Sequence, residues 1–151
     1  MKVVATNKKG YTNYDIVETI EAGISLLGNE VKSLRMGMVN IKDSYAVVRN
    51  GEVFLLNLHI SPYPYSSPFI KYDPERERKL LLHKNEIRKL YGKVRERGLT
   101  LIPLEIYFND RGKVKVKLAL ARGRKKWEKK EVIKEREIKR EIGRELKKRF
   151  K

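Results

Sequence analysis

The apolar and polar positions alternate at period two over most of the chain and switch to helical spacing in one central stretch. From Tyr14 to Leu27, Ile16, Ile20, Ala22, Ile24 and Leu26 fall on one face while Val17, Thr19, Glu21 and Ser25 fall on the other, as in a half-buried strand. Two apolar runs between Ile41 and Ile60 flank Asn50–Gly51, a pair that favours a type I′ hairpin because both central residues need positive φ. A second hairpin is expected at Asn109–Gly112, joining a strand over Leu99–Phe108 to one over Lys113–Ala121. In that last strand Val114, Val116, Leu118 and Leu120 should turn inward and Lys113, Lys115 and Lys117 outward. Between the two β halves, Leu80–Arg97 carries Leu82, Ile87, Leu90, Tyr91 and Val94 at helical spacing and closes on Gly98; a shorter helix is expected at Asn29–Arg35. Five or six strands with an inserted helix in about 120 residues predict a mainly β protein with helices (α+β), a small closed antiparallel barrel of the OB type. A half-open sandwich would show the same alternation.

Past Ala121 the pattern changes. Residues 122–151 hold 15 Lys/Arg and 6 Asp/Glu, a net +9, against a net +8 for the whole of residues 1–121. The chain therefore divides into a body, 1–121, and a basic C-terminal tail, 122–151. From Arg136 the tail repeats every four residues: Arg136, Arg140, Arg144 and Lys148 form a basic row, Glu137, Glu141 and Glu145 an acidic one, and Ile138, Ile142, Leu146 and Phe150 an apolar one. Core-facing helices usually carry an apolar stripe at least ~100° wide, and this row is narrower. The tail is thus expected to be marginal as a free helix and to order on a surface. The plain alternative is a charged helix that stays solvated.

The total of 36 Lys/Arg against 19 Asp/Glu, +17 with a pI near 10.0, calls for a polyanionic partner. No apolar run approaches the ~18 residues of a membrane span, which leaves nucleic acid ahead of a membrane. The absence of cysteine removes disulfides and thiolate metal sites, and a cytoplasmic protein is expected. His59 and His83 have no partner spacing for a metal site, and no Gly-rich phosphate loop or nucleophile elbow occurs, so an enzyme is not expected and neither is a cofactor. In Arg122-Gly123-Arg124-Lys125-Lys126-Trp127-Glu128-Lys129-Lys130 the cations can pair with phosphates while Trp127 stacks on a base. Pro62, Pro64, Pro68 and Pro74 interleave with Tyr63, Tyr65, Phe69 and Tyr72, which suits either a stacking platform for bases or a loop whose aromatics lid one end of the barrel.

Several segments together resemble the SmpB (SsrA-binding protein) family. They are Asn7-Lys8-Lys9, Glu21-Ala22-Gly23-Ile24, Gly28-Asn29-Glu30-Val31-Lys32-Ser33-Leu34-Arg35 and Lys42-Asp43-Ser44-Tyr45-Ala46. His59-Ile60-Ser61-Pro62-Tyr63, Arg78-Lys79-Leu80-Leu81-Leu82-His83, Tyr91-Gly92-Lys93-Val94 and Gly123-Arg124-Lys125 through Ile133–Glu137 follow in the family's order. The resemblance implies an OB-type barrel that holds the tRNA-like domain of transfer-messenger RNA. It also implies a C-terminal tail, disordered when free and helical when bound, that enters the decoding site and empty mRNA channel of a stalled ribosome's small subunit. It implies one monomer per RNA, no enzymatic activity and no cofactor. On this resemblance the RNA-binding positions are Asn7, Lys8, Lys9, Glu21, Ala22, Gly23, Leu81, Lys115 and Lys117. The decoding-site positions are Gly123, Arg124, Lys125, Lys126, Trp127, Lys129, Lys130, Lys134 and Arg136. Glu21 is unusual for such a surface, since a carboxylate repels phosphate; it makes sense as an acceptor for base amino or imino groups. Each position also has a plain structural reading: a solvent-facing strand residue for Glu21, core packing for Leu81, a strand end for Gly123. A general structured-RNA-binding or ribosome-associated protein is the alternative function.

Overall fold

The computed structural model describes residues 1–123. Over these the chain is mostly β with three short helices: β1 (Lys2–Thr6), α1 (Lys8–Asn13), β2 (Tyr14–Ile24), α2 (Gly28–Arg35), β3 (Val39–Asn40), β4 (Tyr45–Arg49), β5 (Glu52–Leu56), β6 (His59–Ile60), β7 (Arg78–Leu81), α3 (Lys84–Arg97), β8 (Thr100–Phe108) and β9 (Val114–Gly123). Seven strands form one antiparallel sheet in the order β1-β8-β4-β5-β7-β2-β9, with β8 also pairing β9; β3 and β6 pair separately. The expected tail, 122–151, thus begins inside a strand. Arg122 and Gly123 pair with Asp15 and Tyr14, and the Arg122 guanidinium bonds Asp15 Oδ2 at 2.8 Å.

Both hairpins form where turn chemistry asks for them. Asn50 and Gly51 take φ of 51° and 76° between β4 and β5, the double positive φ that a type I′ turn requires. The 109–112 turn is stitched by Asn109, whose Oδ1 accepts from the Arg111 and Lys113 N–H groups at 3.0 and 2.9 Å. The main core is aliphatic, with Val53, Leu55, Leu80, Leu101, Ile106, Val116, Leu118 and Leu120 all nearly or fully buried. Ile87 and Leu90 of α3 join it. Fully burying each such side chain contributes about 1.5–3 kcal/mol.

Three sequence expectations change. The alternation from Ile16 to Leu26 is broken by a bulge between Ile16 and Glu18, which swaps faces. Ile20, Ala22 and Ile24 then face the main core, whereas Ile16 joins a second cluster with Ile102, Leu104, Ala119 and Ala121 on the other side. That second cluster exists because α1 lies over it through Tyr11. The helix α1 was not expected; Asn7 caps it, its Oδ1 accepting from Gly10 N–H at 3.0 Å. The helix expected over Leu80–Arg97 begins only at Lys84, and Leu80–Leu81 belong to β7, because the run's first residues alternate, Leu80 buried and Leu81 exposed. Pro103, which cannot donate to a ladder, sits beside a register shift between Pro103 and Glu105.

Candidate nucleic-acid interface

Three adjacent strands, β7, β2 and β9, present a common outward face. The pairing Leu81–Gly23–Lys115 crosses it as one rung, and Glu21–Lys117 forms the next outward rung, two residues along. Glu21 and Leu81 are exposed, Lys115 and Lys117 half-buried. Leu81, 52% exposed, is therefore not a core residue, while Leu80 beside it is. Gly23 leaves room beside Leu81: a Cβ at position 23 would sit 3.2 Å from Leu81 Cβ. An open groove of about 710 Å³ runs along this face, walled by Glu21, Gly23, Leu81, Lys113 and Lys115, with His83 and Glu86 at the start of α3 along its other side.

The charges on this face are ordered rather than mixed. Tyr107, on β8, donates its phenol O–H to Glu21 Oε2 across β9. Tyr11 of α1 donates to Glu105 Oε1 at 3.2 Å, and the Lys117 ammonium lies 6.0 Å from the Tyr11 ring centroid. Burial first, and then the Glu21 carboxylate, push the Tyr107 phenol up to about 12; burial and Glu105 likewise raise Tyr11. Both phenols therefore stay protonated donors at neutral pH. Lys113 and Lys115 line the groove and bring to it cationic side chains suited to phosphate oxygens.

The other expected positions are distributed differently. Lys8 and Lys9 are exposed on α1, joined to the face through Tyr11. Asn7 and Ala22, also expected at the RNA interface, are buried in the body. Asn7 is 6% exposed, its Nδ2 donating to Pro103 O at 2.9 Å and its Oδ1 held by Gly10; Ala22 is 0% exposed, in the core. Gly23 acts through the space it leaves. Gly123 ends β9, and Arg124, Lys125, Lys126, Trp127, Lys129, Lys130, Lys134 and Arg136 lie outside the described residues. His83 was set aside in the sequence, yet it lines the groove beside Leu81; a lone histidine before a helix gives no signal that would have found it.

The proline-rich segment is neither wholly a platform nor wholly a lid. Tyr65 and Phe69 are 81% and 93% exposed, whereas Tyr72 is tied inward by bonds to Glu30 Oε2 at 2.9 Å and Ile60 O at 3.0 Å. Burial and the bond to Glu30 push Tyr72 up to about 12. Beneath it, Arg78 is fully buried and uses its whole guanidinium. Nε meets Glu30 Oε2 at 2.6 Å, Nη1 meets Leu58 O and Arg76 O, and Nη2 meets Tyr72 Oη and Pro74 O. Among the described residues no group of three His, Asp or Glu side chains could hold a metal, and no helix is long and apolar enough to cross a membrane.

A model of the SmpB protein family matches residues 4–148. An SsrA-binding protein from Thermosipho africanus is 58% identical over 97% of this chain and 98% of its own length, and one from Persephonella marina is 56% identical over 97% and 95%. A solved chain from "tmRNA-SmpB: a journey to the center of the bacterial ribosome" is 50% identical and superposes with a TM-score of 0.68, covering 88% of this chain and 95% of that one. Identity of this extent reaches from β1 through the basic C-terminal segment, and the chain belongs to the SmpB protein family.

Proposed function

We propose that this chain binds the tRNA-like domain of transfer-messenger RNA and delivers it to stalled ribosomes in trans-translation. The observation that carries the proposal is the convergence of Glu21, Leu81 and Lys115, sixty and thirty-four positions apart in sequence, on one groove. In this reading Lys113, Lys115 and Lys117 supply phosphate contacts that set register and affinity. Glu21 accepts hydrogen bonds from a base edge and thereby selects among RNAs. Leu81 offers an apolar surface to a base or ribose, and Lys8 and Lys9 extend the basic surface past α1. The strand pairings β4–β5–β7–β2–β9–β8–β4 return to their start, which supports a closed barrel of the OB type as the body. Residues from Gly123 onward, including Arg124, Lys125, Lys126, Trp127, Lys129, Lys130, Lys134 and Arg136, form the arm that occupies the decoding site and the empty mRNA channel of the small subunit. The chain works as a monomeric adaptor in the cytoplasm and performs no catalysis.

Binding to the isolated tRNA-like domain is compared with binding to a charge-matched DNA duplex at equal salt. Preference for the RNA is expected, and equal affinity would sink the proposal. Removal of residues 128–151 is expected to leave binding to the isolated RNA nearly intact and to abolish tagging on stalled ribosomes. Loss of RNA binding in that truncation would refute the division between body and arm.

A further inference from the structure

We infer that Tyr107 is a positioning residue for RNA selection: its phenol O–H holds the Glu21 carboxylate in the orientation that meets the RNA. The inference rests on the RNA-binding reading of Glu21 proposed above. The two residues come from strands that are not neighbours. Tyr107 of β8 pairs with Lys115 of β9, which pairs with Gly23 of β2, so the phenol reaches diagonally over the rung Tyr107–Lys115–Gly23 to Glu21. Gly23 contributes no side chain to that rung, and the diagonal lies open.

The asymmetry between the two partners gives the bond its direction of action. Tyr107 is 8% exposed and fixed in a strand between Val3 and Lys115, so it has almost no surface to offer a ligand. Glu21 is exposed, at the groove, with a long side chain that would otherwise sample several rotamers. A cation facing Glu21 would also orient it, but would neutralise the charge that a base N–H is meant to find. Lys117, its cross-strand neighbour, directs its ammonium instead toward the Tyr11 ring. A neutral phenol fixes the carboxylate while leaving it anionic, and occupies one lone pair on Oε2 with the others left for the ligand. Because the side chain is ordered before the RNA arrives, its rotamer entropy is not lost on binding.

The test is a double-mutant cycle on the full chain with the isolated tRNA-like-domain RNA as probe, across a range of KCl concentrations. Tyr107→Phe keeps the ring and deletes only the hydroxyl. It is expected to weaken binding about three- to tenfold, the range for ordering one long side chain. The loss should be equal at every salt concentration, since no phosphate contact disappears. In the Glu21→Ala background, Tyr107→Phe should cost nothing further. A purely structural tyrosine would give the same loss in both backgrounds, and that additivity would overturn the inference, as would wild-type affinity in Tyr107→Phe. A second readout needs no RNA: three-bond NMR couplings about Glu21 χ1 should report one rotamer in the wild type and averaging in Tyr107→Phe. Unchanged couplings would overturn the inference and leave the RNA-binding reading standing. Failure of the wild-type protein to bind the RNA would instead strike that reading, and the inference with it.

Discussion

Two clusters on this body are built from the same kinds of side chain and behave oppositely. Around Glu30, a carboxylate meets Arg76, Arg78 and Tyr72 in the interior, and every donor of Arg78 has a protein acceptor. Around Glu21, a carboxylate meets one tyrosine at the surface, with Lys113 and Lys115 lining the same groove. The first cluster is saturated and can only hold the fold: it ties the 61–77 segment to α2. The second retains hydrogen-bonding capacity, and a ligand is what can use it. Charge alone therefore does not mark a functional cluster; unspent donors and acceptors do.

The comparison breaks most visibly at Arg78. Arg78→Ala should take one of two guanidinium partners from the buried Glu30 carboxylate, leave the Leu58 and Pro74 carbonyls without that donor, and lower stability by about 3–5 kcal/mol, read by urea unfolding. A loss under about 1 kcal/mol would show that the cluster is not the lock described. At the other cluster, Glu21→Ala should lower stability by only about 0.5–1.5 kcal/mol, because the side chain is exposed and loses the one hydrogen bond from Tyr107. The same variant should weaken binding to the tRNA-like domain by about 1–3 kcal/mol, measured by titration calorimetry. Lys115→Ala should have a smaller and different signature, reducing the log–log salt slope of binding by about 0.7–0.9. An unchanged slope would mean that Lys115 touches no phosphate.

The mildest effect is one of pH. Burial would raise the Glu30 carboxyl, but the bonds from Arg76 and the Leu27 N–H and the charge of Arg78 outweigh it and hold the pKa below its ordinary value of 4.5. A carboxyl depressed in the folded state stabilises the fold fully above its unfolded pKa. That contribution fades as pH drops through the folded value. Stability should thus decline as pH falls below about 4.5, with Glu30→Gln giving a shallower decline in thermal melts over that window.

Much of this was legible in the sequence where a residue has few conformational options. Asn50–Gly51 and Asn109–Gly112 announce turns because positive φ and side-chain capping leave little choice. The charged face of β9 was readable because Lys113, Lys115 and Lys117 alternate with aliphatics. The second cluster was hidden, since the bulge after Ile16 moves a residue to the opposite face without altering the composition of the strand. The helix α1 escaped because Lys8–Asn13 has no apolar period, although Asn7 was available as its cap signal. Leu80–Leu81–Leu82 fits a helix and a strand equally well; only the neighbours β2 and β5 decide it. Within the site, Glu21 and Leu81 came from family resemblance rather than from pattern. Tyr107 could come from neither, since its role depends on a diagonal across two strand pairings.

The long β2–β9 ladder has a consequence as a ruler. Lys115 faces Gly23 at the groove, and Gly123 faces Tyr14 at the ladder's far end, eight residues further along β9. At ~3.4 Å per residue these points stand about 27 Å apart on one rigid strand. Screening in physiological salt cuts the field of an exposed charge about e-fold every 8 Å, so the span is roughly three screening lengths. Charges seated at these two points would interact only weakly with one another. One strand thereby sets the spacing between the groove and the far end of the ladder.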